Sequence, residues 1–354
     1  MISPFQIQHS DSTAADAEPR TKDIVLTGDR PTGALHLGHL AGSLRSRVAL
    51  QHEHSQTILV ADLQALTDNA GQPRHVSAHV LEVVADYLAV GIDPEQTTIA
   101  LQSGLPALSE LTMLYLNLVT VARLERNPTV KTEIELRGFA RDIPAGFLCY
   151  PVSQAADITG FRATLVPVGD DQLPMIEQSN EIVRRINRLA GKAVLPEARP
   201  LLSTVSRLPG ADGRKASKSL RNVISLGASS EEIQSFVSAM YTDPAHKRAT
   251  DPGTVEGNVV FAYLDAFDPR ADEVTALKTQ YRRGGLGDVT LKRRLVDVLA
   301  DVIAPIRERR TQFARDEAYL QQVLDEGTAR AAGVTCSVLD DVREAFALTR
   351  RGRR

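Results

Sequence analysis

The sequence is poor in the residues that build disulfide frameworks and zinc sites, since only two of its 354 residues are cysteines. Cys149 and Cys336 are far apart in the chain, which excludes both a disulfide framework and a zinc-binding spacing. No apolar run approaches the roughly 20 residues that a membrane-spanning helix needs, so we expect no contact with a membrane. The net charge is only −3, and any contact with nucleic acid must therefore come from local basic patches.

Length and local composition divide the chain into four segments. Residues 1–22 lack the basic start and apolar core of a signal peptide, so we expect a flexible extension of a cytoplasmic protein. A chain of 354 residues is long enough for about two domains. We expect an α/β domain over 23–227, an α-helical domain over 228–345 and a basic tail over 346–354.

The first domain shows the alternation of strands and helices that is typical of a parallel sheet. The β-rich runs "DIVLTG" and "QTILVADLQAL" flank a segment that suits a helix, Leu37 to His52. This order predicts a parallel sheet with helices on both faces. After "KASKSL" the patterns are helical, with few candidate strands between them, which predicts an all-helical second domain.

The stretch "PTGALHLGHLAG" follows the first predicted strand and is rich in glycine and histidine. Open α/β sheets bind ligands where a strand end meets a helix N-terminus, and glycines there let an anionic group approach the backbone. The glycines are spaced too loosely for a dinucleotide fingerprint, and no Walker A lysine pattern is present. His36 and His39 could donate hydrogen bonds to a phosphate chain. The alternative is a pair of surface histidines.

A second stretch, "DGRKASKSLRN", places two lysines and two serines in one loop ahead of the helical domain. In isolation it could be a solvated basic loop. Together, "HLGH" and "KASKS" resemble the "HIGH" and "KMSKS" signatures of class I aminoacyl-tRNA synthetases. The blocks "YLAVGIDPEQ", "YPVSQAADI", "LVPVGDDQ" and "VLDEG" narrow the resemblance to bacterial tryptophanyl-tRNA synthetases, from about Asp23 to Gly327.

The resemblance implies a class I Rossmann-like parallel-sheet catalytic domain, a C-terminal α-helical anticodon-binding domain and a homodimer. It implies activation of L-tryptophan with ATP and Mg²⁺, the Mg²⁺ bound through the phosphates and no metal held tightly by the protein, followed by transfer to tRNA(Trp). Catalytic roles fall to His36, His39, Lys215 and Lys218. The positions implied for ATP are Arg30, Pro31, Thr32, Gly38, His39, Gly169, Asp170, Asp171, Lys215, Ala216, Ser217, Lys218 and Ser219. Those implied for tryptophan are Leu26, Gly28, Tyr150, Gln154, Asp157, Val166, Val168 and Gln172.

Side-chain chemistry supports Asp157 as the residue that recognises the tryptophan side chain. Indole has one hydrogen-bond donor and no acceptor, so an acceptor-only carboxylate suits it. Gln154 and Asp157 are three residues apart on a predicted helix and face the same side. The alternative is that Asp157 has a structural role, as a cap or an ion-pair partner. Adenylate formation needs no general base, so positioning and electrostatic stabilisation should carry catalysis.

Three positions depart from the usual family pattern. Arg30 stands where glutamine is usual, Ala216 replaces the methionine of "KMSKS", and Leu26 replaces an aromatic residue. These changes resemble the divergent second copies that some bacteria keep, and an auxiliary role is one interpretation. We expect a more cationic and somewhat looser pocket.

Four basic runs are candidate tRNA contacts: Arg184–Arg188, Lys292–Arg294, Arg307–Arg310 and the terminal "RRGRR". Each could instead be a solvated face.

Three other functions also remain open at this point. They are a tyrosyl-tRNA synthetase, a nucleotidylyltransferase or small-molecule ligase that acts without RNA, and a non-catalytic paralogue that binds tryptophan or a partner protein.

Overall fold

A computed structural model describes residues 22–139, 142–202, 207–218 and 220–348. The expected N-terminal extension and basic tail lie almost wholly outside these ranges. Ser219, a predicted ATP contact, also lies outside the described residues.

The core of the fold is a parallel sheet of five strands, which confirms the predicted α/β class. The strands are β1 (Ile24–Asp29), β2 (Ser55–Val60), β3 (Thr97–Leu101), β4 (Leu165–Val168) and β5 (Arg199–Leu202), arranged in the order β3-β2-β1-β4-β5. The helices are α1 (Leu37–His39), α2 (Arg45–Leu50), α3 (Asp62–Asn69), α4 (Pro73–Ala78), α5 (Val80–Val90), α6 (Pro106–Leu116), α7 (Val121–Glu125), α8 (Pro128–Arg137), α9 (Ala145–Gly160), α10 (Leu173–Ala190), α11 (Ser230–Ser238), α12 (Val259–Phe267), α13 (Ala271–Arg283), α14 (Asp288–Phe313) and α15 (Glu317–Ala345). A π-helical segment, Leu40–Leu44, joins α1 to α2.

The strand order determines where a ligand can bind. The chain adds β2 and β3 on one side of β1 and then adds β4 and β5 on the other side, so β1 and β4 are parallel neighbours although β2 and β3 come between them in sequence. In open α/β sheets the helices that follow such a pair of strands diverge to opposite faces, and this leaves a crevice at the carboxyl ends of the strands. Gly28 and Asp29 end β1 at this crevice, and Val168 ends β4.

The region that follows residue 228 is helical and has no strand in its described part, 228–348. Two of its helices return to the first region: α14 packs on helix α5, and α15 packs on strand β3. One hydrophobic cluster therefore contains Leu35 and Val83 from the first region together with Val298 and Leu324 from the second. The core continues across the predicted domain boundary.

Helix α15 lies so close to β3 that one of its positions has no room for a side chain. A Cβ atom added at Gly327 would overlap the backbone carbonyl of Ile99. The same helix carries a second glycine, Gly333, which is exposed and has open space around it.

We expect Gly327→Ala to lower the free energy of unfolding by about 1–3 kcal/mol, because backbone must move to admit the methyl group. Gly333→Ala is the matched control and should raise it by about 0.5–1 kcal/mol, since alanine favours a helix interior over glycine. Urea unfolding followed by circular dichroism measures both. Equal shifts of the same sign would contradict the close contact between α15 and β3.

Candidate active site

Two adjoining cavities, of about 830 and 300 Å³, lie at the carboxyl ends of β1 and β4. The predicted site residues that line both are Gly28, Arg30, Gln154 and Gln172. Those that line the larger cavity alone are Thr32, His36, His39, Tyr150, Ser217 and Lys218. Those that line the smaller cavity alone are Leu26, Asp157, Val166, Val168 and Gly169. The remaining predicted residues within the described ranges line neither: Pro31, Gly38, Asp170, Asp171, Lys215 and Ala216.

The two histidines at the start of α1 are neutral and have a defined tautomer. His36 Nδ1 accepts the backbone N–H of Gly38 at 3.1 Å, and His39 Nδ1 accepts the backbone N–H of His36 at 3.2 Å. Burial lowers the pKa of His36 to about 3 and that of His39 to about 4. With Nδ1 used as an acceptor, the single ring proton of each neutral imidazole lies on Nε2. Both rings line the larger cavity as hydrogen-bond donors.

Gly38 is required by this arrangement. A Cβ atom at Gly38 would lie 2.8 Å from Cε1 and 2.9 Å from Nδ1 of His36. The glycine therefore makes room for the imidazole of His36, which caps the helix by accepting the N–H of Gly38.

Asp29, which lines both cavities, is held as a largely buried carboxylate with a side chain 12% exposed. It accepts from Arg47 at 2.5 Å and from the hydroxyl of Tyr87 at 2.7 Å. Burial alone would raise the pKa of Asp29, but the Arg47 guanidinium holds it well below its usual range. Asp29 thus stays ionised and fixes the end of β1 to α2 and α5.

The smaller cavity has a second buried carboxylate, with a different partner. Asp157 is 5% exposed, and both its oxygens accept from the Nε2 amide of Gln102, each at 2.9 Å. Burial raises the pKa of Asp157 to about 7. The nearby walls are apolar, from Leu26 and Val166. An N–H donor of a flat apolar ligand would find its acceptor here.

The "KASKS" loop already contacts the histidine turn. Lys218 Nζ donates to the carbonyl of Gly33 at 2.6 Å, and burial lowers the pKa of this lysine. Asn222 braces the loop by accepting the N–H of Ser217 at 2.8 Å and donating to the carbonyl of Lys215 at 3.1 Å. Lys215 itself has an exposed side chain.

Gln102, Asp68 and Arg137 are among the residues in or beside the cavities that sequence reasoning missed. The carboxylate of Asp68 accepts from Arg30 and, at 2.8 Å, from Arg137. Arg137 ends α8 and lies over the ring of Phe147, 5.4 Å from its centroid. The local sequence carries no signal for the two contacts of Asp68, because its partners Arg30 and Arg137 are 38 and 69 residues away in the chain.

Most of the basic runs are used in contacts within the chain. Arg185 donates to the carbonyl of Leu118, and Arg294 to Asp268 at 2.7 Å. Further contacts of this kind are those of Arg184 with Glu177, Lys292 with the carbonyls of Ser238 and Met240, Arg307 with the carbonyl of Ala228, Arg309 with the carbonyl of Ala89, and Arg310 with Asp86. The terminal run lies outside the described residues. Among the helices of the described chain, none is long and apolar enough to cross a membrane.

Comparisons with known proteins agree on one family. Residues 18–303 match the family described as tRNA synthetases class I (W and Y). The chain is 53% identical over 332 residues to the tryptophan–tRNA ligase of Clostridium longisporum, across 92% of this chain and 97% of that relative. It is 53% identical over 336 residues to that of Streptococcus agalactiae, across 93% and 98%. The structure of the tryptophanyl-tRNA synthetase from Campylobacter jejuni, complexed with ADP and tryptophan, is similar with a TM-score of 0.78 and 27% identity, across 92% of this chain and 100% of that chain.

The raised pKa of Asp157 makes the stability of the chain pH-dependent. Its folded-state pKa is about 7, above an unfolded value of about 3.9. Between these values the folded chain holds a proton that the unfolded chain has lost, so stability falls as pH rises, by about 1.4 kcal/mol per pH unit. Asp157→Asn keeps an acceptor for Gln102 and does not titrate. We therefore compare the free energy of unfolding of Asp157→Asn with that of wild type by urea unfolding at two pH values. The difference, variant minus wild type, should be about 2–3 kcal/mol larger at pH 8 than at pH 5.

The control for this measurement is Asp171→Asn. Asp171 pairs with Arg207 at 2.8 Å, and these contacts lower its pKa, so the variant should gain nothing between pH 5 and pH 8. If the free energies of unfolding of wild type and Asp157→Asn changed with pH in parallel, the raised pKa assigned to Asp157 would be wrong.

Proposed function

The chain belongs to the class I tRNA synthetases for tryptophan and tyrosine, and we propose that tryptophan and ATP react in its two adjoining cavities. It is a tryptophan–tRNA ligase, a tryptophan-specific enzyme that uses ATP as a substrate. The resemblance stated from "HLGH" and "KASKS" is thereby confirmed. The tyrosyl, nucleotidylyltransferase and non-catalytic alternatives are set aside.

The observation that carries the proposal is the buried carboxylate at the floor of the smaller cavity. Tryptophan would lie with its indole between Leu26 and Val166 and would donate its N–H to Asp157. The Gln102 amide holds the carboxylate in place from the other side, at 2.9 Å. A pocket with a buried acceptor rejects analogues that leave this acceptor unpaired. Gln172 and Tyr150 line the larger cavity and would hold the amino-acid end.

ATP would lie in the larger cavity, with its phosphates facing the Nε2–H donors of His36 and His39. A carboxylate oxygen of tryptophan attacks the α-phosphorus, a new O–P bond forms, and the bond from this phosphorus to its leaving oxygen breaks to release pyrophosphate. Negative charge grows on the leaving group. The fixed donors and the ammonium of Lys218 would stabilise this charge without reorganising.

The remaining ATP contacts stay predictions. Gly169, Asp170 and Asp171 would border the ribose, and Arg30, Pro31 and Thr32 would lie along the histidine turn. Lys215, Ala216, Ser217 and Ser219 would close over the pyrophosphate. Mg²⁺ would arrive on the ATP phosphates and offset their charge.

The acceptor tRNA(Trp) is proposed to bind the helical region over 228–345. Since most basic runs are paired internally, the contacts are better sought among other exposed cations. Lys247, Arg248 and Arg283 are exposed, and the loop of the first two is joined to the end of α13 by a hydrogen bond from Gly285 N–H to the carbonyl of Ala249, at 2.6 Å. A homodimer, a cytoplasmic location, the division at residue 227 and an auxiliary role stay predictions.

Amino-acid-dependent exchange between ATP and pyrophosphate tests the proposal. We expect tryptophan to support exchange and tyrosine to support far less, and the adenylate to be transferred to tRNA. Asp157→Ala should weaken tryptophan binding roughly tenfold to a hundredfold, the effect of losing a hydrogen bond to a charged group, and should leave ATP binding unchanged. The chain has no Trp residue, so the fluorescence of the ligand reports its own binding. Unchanged tryptophan affinity in a folded variant would remove Asp157 from the pocket.

Comparison of the two lysines of "KASKS" tests the role of the loop. Lys218→Ala should slow adenylate formation and leave tryptophan affinity nearly intact, because the lysine acts on the leaving group in the transition state. Lys215→Ala should slow it less, since Lys215 lines neither cavity. Single-turnover adenylate formation measures both variants. A wild-type rate for Lys218→Ala would refute the assignment.

A further inference from the structure

The backbone beside His36 is held by a carboxylate that the reaction does not use. The N–H of Leu35 donates to Asp86 Oδ2 at 2.6 Å. Asp86 lies on α5 and is completely buried. The carbonyl of Leu35 accepts the N–H of Leu226 at 3.0 Å. Both backbone polar groups of Leu35, the residue that precedes His36, are thus held by hydrogen bonds.

The same carboxylate is bound by a side chain from the helical region. Arg310, on α14, donates its Nε–H to Asp86 Oδ1 at 2.5 Å. The Arg310 side chain also lies against the backbone at Gly227, where an added Cβ would be 3.1 Å from its Cδ. Arg310 therefore contacts both the support of the histidine turn and the segment that follows the "KASKS" loop.

Helix α14 extends from this pair into the helical region. Near its other end, Lys292 donates to the carbonyls of Ser238 and Met240, both at 2.8 Å, which ties the helix to α11. Its C-terminal half packs on α5. A shift of α14 at the helical region would thus reach the Asp86 carboxylate directly through its bond with Arg310, beside the packing of α14 on α5.

The Asp86 carboxylate is fully buried and the Arg310 side chain is 23% exposed, so the desolvation of the carboxylate offsets much of the attraction between the two charges. What such a pair does well is fix one geometry, since each charge is costly without its partner. We propose that Asp86 and Arg310 are positioning residues that set the backbone of the ATP-binding turn from helix α14. The proposal rests on the proposed function of His36 and His39 and goes beyond it by linking their position to the helical region.

Two variants remove the ion pair of Asp86 and keep its bond to the N–H of Leu35. Asp86→Asn keeps an acceptor for Leu35 and loses the charge that Arg310 binds. The double variant Asp86→Asn with Arg310→Met leaves no unpaired buried charge. For both we expect kcat for tryptophan-dependent pyrophosphate exchange to fall about tenfold and KM for ATP to rise severalfold, while the Kd for tryptophan stays within about twofold.

Arg309→Met is the matched control. Arg309 is the neighbour of Arg310 on α14 and donates to the carbonyl of Ala89 at 2.6 Å, so its loss removes a contact between α14 and α5 without touching Asp86. We expect exchange kinetics within about twofold of wild type. A loss equal to that of the double variant would mean that general packing of α14, and not the ion pair, sets the turn, which overturns the proposal.

Hydrogen exchange gives a readout that needs no activity. In the double variant the peptide containing Leu35 to His39 should exchange faster than in wild type and in Arg309→Met. Unchanged exchange of this peptide and wild-type kcat and KM for ATP in a folded double variant would overturn the positioning role. Failure of the wild-type chain to support tryptophan-dependent exchange would instead overturn the proposed function, and the hydrogen-exchange comparison would still decide the role of the pair.

Discussion

The site depends on the way Asp29 ends β1. Its carboxylate is bound by Arg47 and Tyr87, so the last residue of the strand is tied to α2 and α5. Breaking a buried ion pair by removing one partner costs about 3–5 kcal/mol, and this contact leaves the strand end little freedom. The turn that follows can then present His36 and His39 at fixed positions. Donors that are fixed before the reaction need not reorganise as charge develops.

Asp29 and Asp157, two carboxylates that line the smaller cavity, differ in protonation, and the difference comes from their partners. A guanidinium binds Asp29 and keeps it ionised. An uncharged amide binds Asp157, so burial dominates and raises its pKa to about 7. The first group acts as a permanent anion that organises structure. The second carries a desolvation cost that an N–H donor placed in the cavity would partly offset.

The parallel sheet and the histidine turn could be predicted because both have signals in short stretches of sequence. Alternating strand and helix patterns give the sheet, and glycines beside two histidines mark its ligand-binding edge. Gln102, Asp68 and Arg137 could not be found in this way, since their contacts join segments that are distant in the chain. The basic runs show the converse problem. A run such as Arg307–Arg310 reveals its charge but not which side of the helix faces the protein, and the structure directs these side chains inward.

The boundary predicted at residue 227 marks a change of sequence pattern, whereas the hydrophobic core continues across it. Helix α15 is the last helix of the described residues, yet its Ala331 and Val338 share a hydrophobic cluster with Ala100 of β3 and Ala156 of α9. Helix α14 shares the other cluster with the residues of α5. The sheet therefore buries its face only when the C-terminal helices are in place. Of the two C-terminal helices it is α14 that contacts the support of the histidine turn, because its Arg310 binds Asp86, the carboxylate that accepts the N–H of Leu35.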